Sequence, residues 1–203
     1  MLQENTYVVS DETGDCVVID CGALFDNERE AIVSFIKDNR LTLRHVLCTH
    51  GHLDHCFGND TLYNTFGIQP ELHAEDEFLA KDLAKQATDL LSMPYNRPTP
   101  PIGRFLADGD TVSFGTHQFI VLHTPGHTPG GICFYCQEEK VVFTGDTLFR
   151  MTVGRTDLER GSWEALLNSL RNVLAKLPDD TTVYCGHGSQ TSIGQEKLTN
   201  PCF

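Results

Sequence analysis

The chain has 203 residues, enough for one large domain with a well-buried core. Its 40% apolar and 21% charged residues are those of an ordinary soluble globular protein, and 28 acids against 15 bases leave a net charge of −13. That sign excludes the basic footprint of a nucleic-acid binder and disfavours an anionic membrane surface. No apolar run approaches membrane length and no leader pattern opens the chain, so the expectation is a cytoplasmic protein without membrane or nucleic-acid partners. The 8 cysteines have no disulfide-framework spacing. Cys16, Cys21, Cys48 and Cys185 lie in or beside Val/Ile/Leu-rich segments, where a reduced thiol behaves as a small apolar residue.

Residues 6–9 and 16–20 are β-branched runs separated by Asp11-Glu12-Thr13-Gly14-Asp15, which predicts a hairpin. From Asp26 a helical pattern places Ile32, Phe35, Ile36 and Asn39 on one face. Leu43 to Cys48 reads as a short apolar strand. A helix is predicted over 75–91, with Leu79, Leu83, Ala87 and Leu90 on one stripe. Met93 to Pro101 is broken by Pro94, Pro98, Pro100 and Pro101 and reads as a loop, either a plain surface connection or a lid over a pocket. Strands are expected at 111–114, 117–122, 131–136 and 141–144. Ser162 is the predicted N-cap of an amphipathic helix marked by Trp163, Leu166, Leu167, Leu170, Val173, Leu174 and Leu177. A last strand runs from Thr182 to Cys185. Strand-rich halves alternating with helices imply a sheet-on-sheet core with helices outside, in one domain over residues 1–203.

The chemistry concentrates in short motifs at predicted strand ends. Thr49-His50-Gly51-His52-Leu53-Asp54-His55 packs imidazoles and a carboxylate into a Gly-containing loop just past Cys48. The two-residue spacing of His50 and His52 suits one ion, while Asp54 and His55 reach a neighbouring position. His127 follows in Pro-Gly-His-Thr-Pro-Gly, Asp146 in Thr-Gly-Asp-Thr, and His187 in Gly-His-Gly. Imidazole and carboxylate without thiolate suit zinc, iron or manganese. Seven such groups exceed what one tetrahedral ion needs. Two divalent ions sharing a ligand are therefore expected, and sites of that kind are mostly hydrolytic.

A single His or Asp after a strand is ordinarily structural, but packing alone does not crowd so many ligating groups into one loop. His45, His73, His117 and His123 keep the structural reading; His117 and His123 share a strand face with Phe119 and Val121. Cys133-Phe-Tyr-Cys136 has zinc-like spacing without a second pair, and Cys56 has no base partner for nucleophilic chemistry.

In this order and spacing the motifs resemble the metallo-β-lactamase superfamily. The likeness runs from Asn5-Thr6-Tyr7 through Val18-Ile19-Asp20 to Ile193-Gly194-Gln195-Glu196 and Asn200-Pro201. It implies a four-layer αβ/βα sandwich with the site at one edge between the sheets. It also implies a first metal on His50, His52 and His127, a second on Asp54, His55 and His187, and Asp146 bridging. Within that superfamily, two-zinc β-lactamases generally lack a counterpart of His55 and carry Cys at the place of Asp146. Gly145-Asp146-Thr147-Leu148-Phe149 and Gly154-Arg155-Thr156-Asp157 instead resemble the glyoxalase II group, especially its short members.

The resemblance thus implies a metal-activated water attacking the carbonyl of a small thioester or ester, such as an S-2-hydroxyacylglutathione. Asp54 and Asp146 are the catalytic carboxylates of that scheme. Arg155 is a candidate for a substrate carboxylate, against an alternative ion pair with Asp157 or Glu159. Persulfide dioxygenases share both signatures and are the rival reading, with one iron on His50, His127 and Asp146; Ser189 and Cys202 depart from their pattern. A non-catalytic metal-binding module is the remaining alternative.

Overall fold

In the computed structural model, which describes residues 3–203, the predicted hairpin forms β1 (Tyr7–Ser10) and β2 (Asp15–Ile19), with Val8 opposite Val18. The first two residues of the expected 1–203 span lie outside the described residues. Helix α1 (Asp26–Asp38) then carries the chain over to β3 (Thr42–Leu47), parallel to β2. Such a crossover cannot be made by a tight turn and takes a helix. Helix α2 (Asn59–Phe66) leads in the same way to β4 (Pro70–His73), and α3 (Glu77–Ala80) with α4 (Leu83–Leu91) leads to β5 (Arg104–Leu106). These strands make one sheet in the order β1-β2-β3-β4-β5.

The second sheet begins as an antiparallel meander of β6 (Thr111–Phe114), β7 (His117–His123), β8 (Ile132–Cys136) and β9 (Val141–Gly145). A small ribbon, β10 (Leu148–Phe149) with β11 (Thr152–Val153), follows β9. Helix α5 (Trp163–Asn172) then returns the chain to β12 (Thr182–Cys185), parallel to β9. β13 (Thr191–Ser192) and α6 (Ile193–Thr199) complete the order β13-β12-β9-β8-β7-β6. Among the described residues no helix is long and apolar enough to cross a membrane.

Alternation along β2 shows how the layers arise, since successive side chains of a strand point to opposite faces. Val17 and Ile19 face the second sheet and meet Phe119, Phe134 and Phe143. Cys16 and Val18 point the other way, under Ile36 of α1 and Leu62 of α2. On β8, Phe134 fills the inter-sheet core while Cys133 and Tyr135 pack beneath Leu166 and Leu170 of α5. The result is the expected αβ/βα sandwich. Each fully buried side chain of this size contributes roughly 1.5–3 kcal/mol. The same alternation separates Cys133 from Cys136, which lie on opposite faces of the sheet and cannot share an ion.

Several expectations are modified. The helix over 75–91 is two helices, because Asp82 accepts a bond from Lys85 N at 3.4 Å and caps a new start. Leu79, Leu83 and Ala87 are buried as the stripe requires, but Leu90 is exposed. In α1 the buried line runs through Arg29, Ile32 and Ile36, and Phe35 lies off it toward solvent. Arg29 is held inside by an ion pair with Asp60 of α2. Trp163 likewise sits on the outer side of α5. The segments α2, β4, β5 and β10 to α6, apart from α5 and β12, are too short for periodicity to announce them.

Candidate metal centre

Each site motif leaves the end of a strand on the same edge of the sandwich. β9 and β12 are neighbours, with Tyr184 beside Phe143, so Asp146 and His187 emerge side by side. The loop after β3 is tied to the second sheet by Ile132 N donating to Thr49 O at 2.8 Å. His127 follows β7 in a loop clamped by α5: Ser169 Oγ donates to Pro125 O, and Ser162 N donates to Gly126 O. Gly126 stands at φ 147°, where an added Cβ would come within 2.4 Å of Leu166.

All seven predicted donors converge. His50, His52 and His127 form one group, Asp54, His55 and His187 another, with donor atoms in each group within 4.8 Å of one another. His52 Nδ1 lies 2.9 Å from His127 Nε2. Asp146 stands between the groups: Oδ2 is 3.5 Å from His127 Nε2, whereas Oδ1 is 3.3 Å from His55 Nε2 and 3.6 Å from His187 Nε2. Asp54 Oδ2 lies 3.4 Å from His187 Nε2. Gly186 makes room for this, since a Cβ there would sit 2.4 Å from Asp146 Oδ1.

The opposite edges of the imidazoles are held by hydrogen bonds that set their tautomers. His127 Nδ1 donates to Arg155 O at 2.7 Å, and His187 Nδ1 donates to Gln3 O at 3.2 Å. His55 Nδ1 donates to Asp20 Oδ2 at 3.0 Å; Thr49 Oγ1, whose proton goes to Asp20, accepts from His50 Nδ1 at 3.1 Å. In their neutral forms these four histidines are thereby left with a lone pair on the inner Nε2, the arrangement by which outer partners prepare histidines for metal, while His52 turns Nδ1 inward. His50 Nε2, His55 Nε2 and Asp146 Oδ1 are buried without a partner. Buried polar atoms are normally satisfied, so a converging set of unsatisfied lone pairs fits cations. The donors fit two ions, one per group, with Asp146 reaching both.

Two structural carboxylates escaped the sequence reading. Asp20, at the end of β2, accepts from Thr49 N, Thr49 Oγ1 and His55 Nδ1, and so positions the first ligand loop. Asp76 accepts from Gly51 N, Thr128 Oγ1 and Gly130 N, joining that loop to the His127 loop. A buried acid right after an apolar strand, or inside a helix start, was the available signal.

Electrostatics divide the centre. Burial and the neighbouring imidazoles hold His50 well below the usual histidine range, and burial with His127 brings His52 down to about 3. Burial opposes charge on His55 too, but Asp146 and Asp20 outweigh it and raise that pKa. His187 is raised by its bond with Asp54. Asp146 is buried, yet the cationic form of His55 beside it pulls its carboxyl below the usual value.

Arg155 stands apart from the donors. Its guanidinium is exposed and pairs with Asp157 Oδ1 and Oδ2 at 2.6 and 2.7 Å, while its carbonyl serves His127. His73, Glu75 and His123 also cluster, but the two rings stack at 4.2 Å with planes 12° apart. Lone pairs in nearly parallel planes do not meet at one ion, so these histidines keep the structural reading. A cavity of about 350 Å³ opens on the other side of the centre, where Asp54 forms part of its wall.

The model of the family described as the metallo-beta-lactamase superfamily matches residues 1–187. The hydroxyacylglutathione hydrolase GloC of Haemophilus influenzae is 39% identical over 98% of this chain and 92% of its own. Among solved structures, the BLEG-1 B3 metallo-beta-lactamase superposes with a TM-score of 0.90 at 37% identity, covering 98% of this chain and 94% of that one. TTHA1623, solved in a di-iron-bound form, gives 0.87 at 37% identity, covering 100% and 96%. With sandwich, strand-end loops and donor set agreeing, the chain belongs to the metallo-β-lactamase superfamily.

Proposed function

We propose that this protein is a metal-dependent hydrolase of the glyoxalase II type. It cleaves S-2-hydroxyacylglutathione or a related small thioester or ester at a two-ion centre on His50, His52, Asp54, His55, His127, Asp146 and His187. The observation that carries this reading is Asp146, whose two oxygens face two separate donor groups. Ions bound there supply a water acidified toward neutral pH and a Lewis acid for the carbonyl oxygen. Zinc suits the donors, and iron or manganese accept the same imidazoles and carboxylates.

The chain's own groups do the positioning. Asp54, on the more open side beside His187, accepts a hydrogen bond from the attacking water and fixes its approach. Arg155 turns from Asp157 to pair bidentately with a carboxylate of the thiol carrier. No side chain is the nucleophile: the Cys48 contact and burial push the Cys56 thiol well up, away from the reactive thiolate. The departing thiol is itself acidic and needs little help from a general acid. A soluble cytoplasmic setting accords with this chemistry and with the reduced thiols.

The test follows loss of thioester absorbance from S-lactoylglutathione, with zinc-loaded protein beside a chelator-stripped control. Metal-dependent turnover is expected; a fully loaded protein inert toward this and every other thioester and ester tried refutes the reading. Likeness to a B3 metallo-beta-lactamase favours β-lactam hydrolysis as the second reading. A chromogenic cephalosporin in the same assay decides between them, and oxygen uptake on a persulfide with one bound iron would point to the dioxygenase.

A further inference from the structure

The two flanks of the metal centre differ in character. On the His127 side stands an exposed guanidinium, Arg155, held by a single exposed partner. On the Asp54 side the 350 Å³ cavity is walled by Leu24, Ile32, Phe57 and Leu91, with Glu4, Glu28 and Asp54 itself as its acids. Among the described residues none lining it is basic. Glu28 is occupied in capping α1, where it accepts from Leu24 N and Phe25 N. Glu4 Oε2 accepts from Thr6 Oγ1, and its Oε1 is buried without a partner. A carboxylate entering this chamber would be desolvated beside acids with no counter-ion, whereas a hydrocarbon chain would bury apolar wall.

We propose that this chamber is the acyl pocket and that it takes an uncharged, apolar acyl chain longer than lactoyl, with the thiol carrier lying on the Arg155 side. The inference rests on the thioesterase reading and deepens it. Orientation follows from charge: Arg155, whose carbonyl holds His127, offers a cation to a thiol carrier bearing a carboxylate, and the chamber beside Asp54 offers cover to an apolar chain. Ala31, on the outer face of α1 at the chamber mouth, marks where its depth is set.

The test compares S-acetyl, S-octanoyl and S-glutaryl thioesters of one carrier on zinc-loaded protein, and titrates octanamide into the same protein by calorimetry. Octanoyl is expected to give the largest kcat/KM, and glutaryl to fall below it. Ala31→Phe, which fills the mouth from an exposed helix position, should lower the octanoyl-to-acetyl ratio about tenfold, the size of effect that lost methylene contacts produce. It should also weaken octanamide binding; Ile32→Trp provides the same test from a second wall residue. A glutaryl preference, or an unchanged ratio and unchanged octanamide binding in both variants, overturns the proposal. If no thioester is hydrolysed, the thioesterase reading fails, while the octanamide titration still decides whether the chamber holds an apolar chain.

Discussion

Replacing Asp20 by Asn tests how the outer shell prepares the centre. The change is isosteric, and Asn tolerates the φ of 51° found at this position. Its carbonyl can keep the bond from Thr49 N, but the amide then faces His55 Nδ1, 3.0 Å from the original oxygen, with a donor. To be satisfied, His55 must accept at Nδ1 and carry its proton on Nε2, the atom that faces Asp54 and Asp146. Loss of such an outer partner weakens metal binding about 10–100-fold, or roughly 1.4–2.7 kcal/mol. Loss of the charge-assisted bond costs the metal-free protein roughly 1.5–3 kcal/mol as well. Competition against a chromophoric zinc chelator measures the first quantity, and urea denaturation of stripped protein measures the second. The weaker-binding ion should be the one on Asp54, His55 and His187. An Asp20→Asn protein that competes with the chelator as well as wild type refutes the tautomer argument.

Other perturbations follow from the same geometry. Asp146→Ala should lose both ions and all metal-dependent thioester turnover, and a variant keeping two ions and full activity, read by metal analysis and the thioester assay, contradicts the bridging role. Metal uptake should release protons and tighten as pH rises, because His55 and His187, both raised in the metal-free protein, must shed theirs before binding. Calorimetry in buffers of different ionisation enthalpy measures that release; zero release at neutral pH counts against it. Arg29→Ala should destabilise the fold by up to about 3–5 kcal/mol, because buried Asp60 then keeps only the partly exposed Arg97, 3.5 Å away, whereas Arg29→Met with Asp60→Leu should recover most of the loss in urea unfolding.

Much of the site was legible because its signals are local. The His50-to-His55 cluster, His127, Asp146 and His187 each end an apolar strand, and strand ends are recognisable from a few residues. Long elements such as α1, α5 and β6 to β9 also declare themselves, through periodicity and caps, since burial of one face is written directly into residue order. Phe35 and Leu90 show the limit: periodicity names a stripe, but which edge of it meets the sheet depends on how the helix lies across its neighbours.

Tertiary structure alone decided the rest. Only the side-by-side placement of β9 and β12 brings Asp146 to His187, residues far apart in the chain whose pairing no spacing encodes. Asp20 and Asp76 look like any strand-end or helix-start acid until folding aims them at loops from other segments. The opposed faces of Cys133 and Cys136 and the chamber beside Asp54 likewise exist only once the layers are packed. The sequence determined which groups are available and which strand ends carry them. Packing determined their distances, their tautomers and what surrounds them, because those depend on contacts between residues remote along the chain.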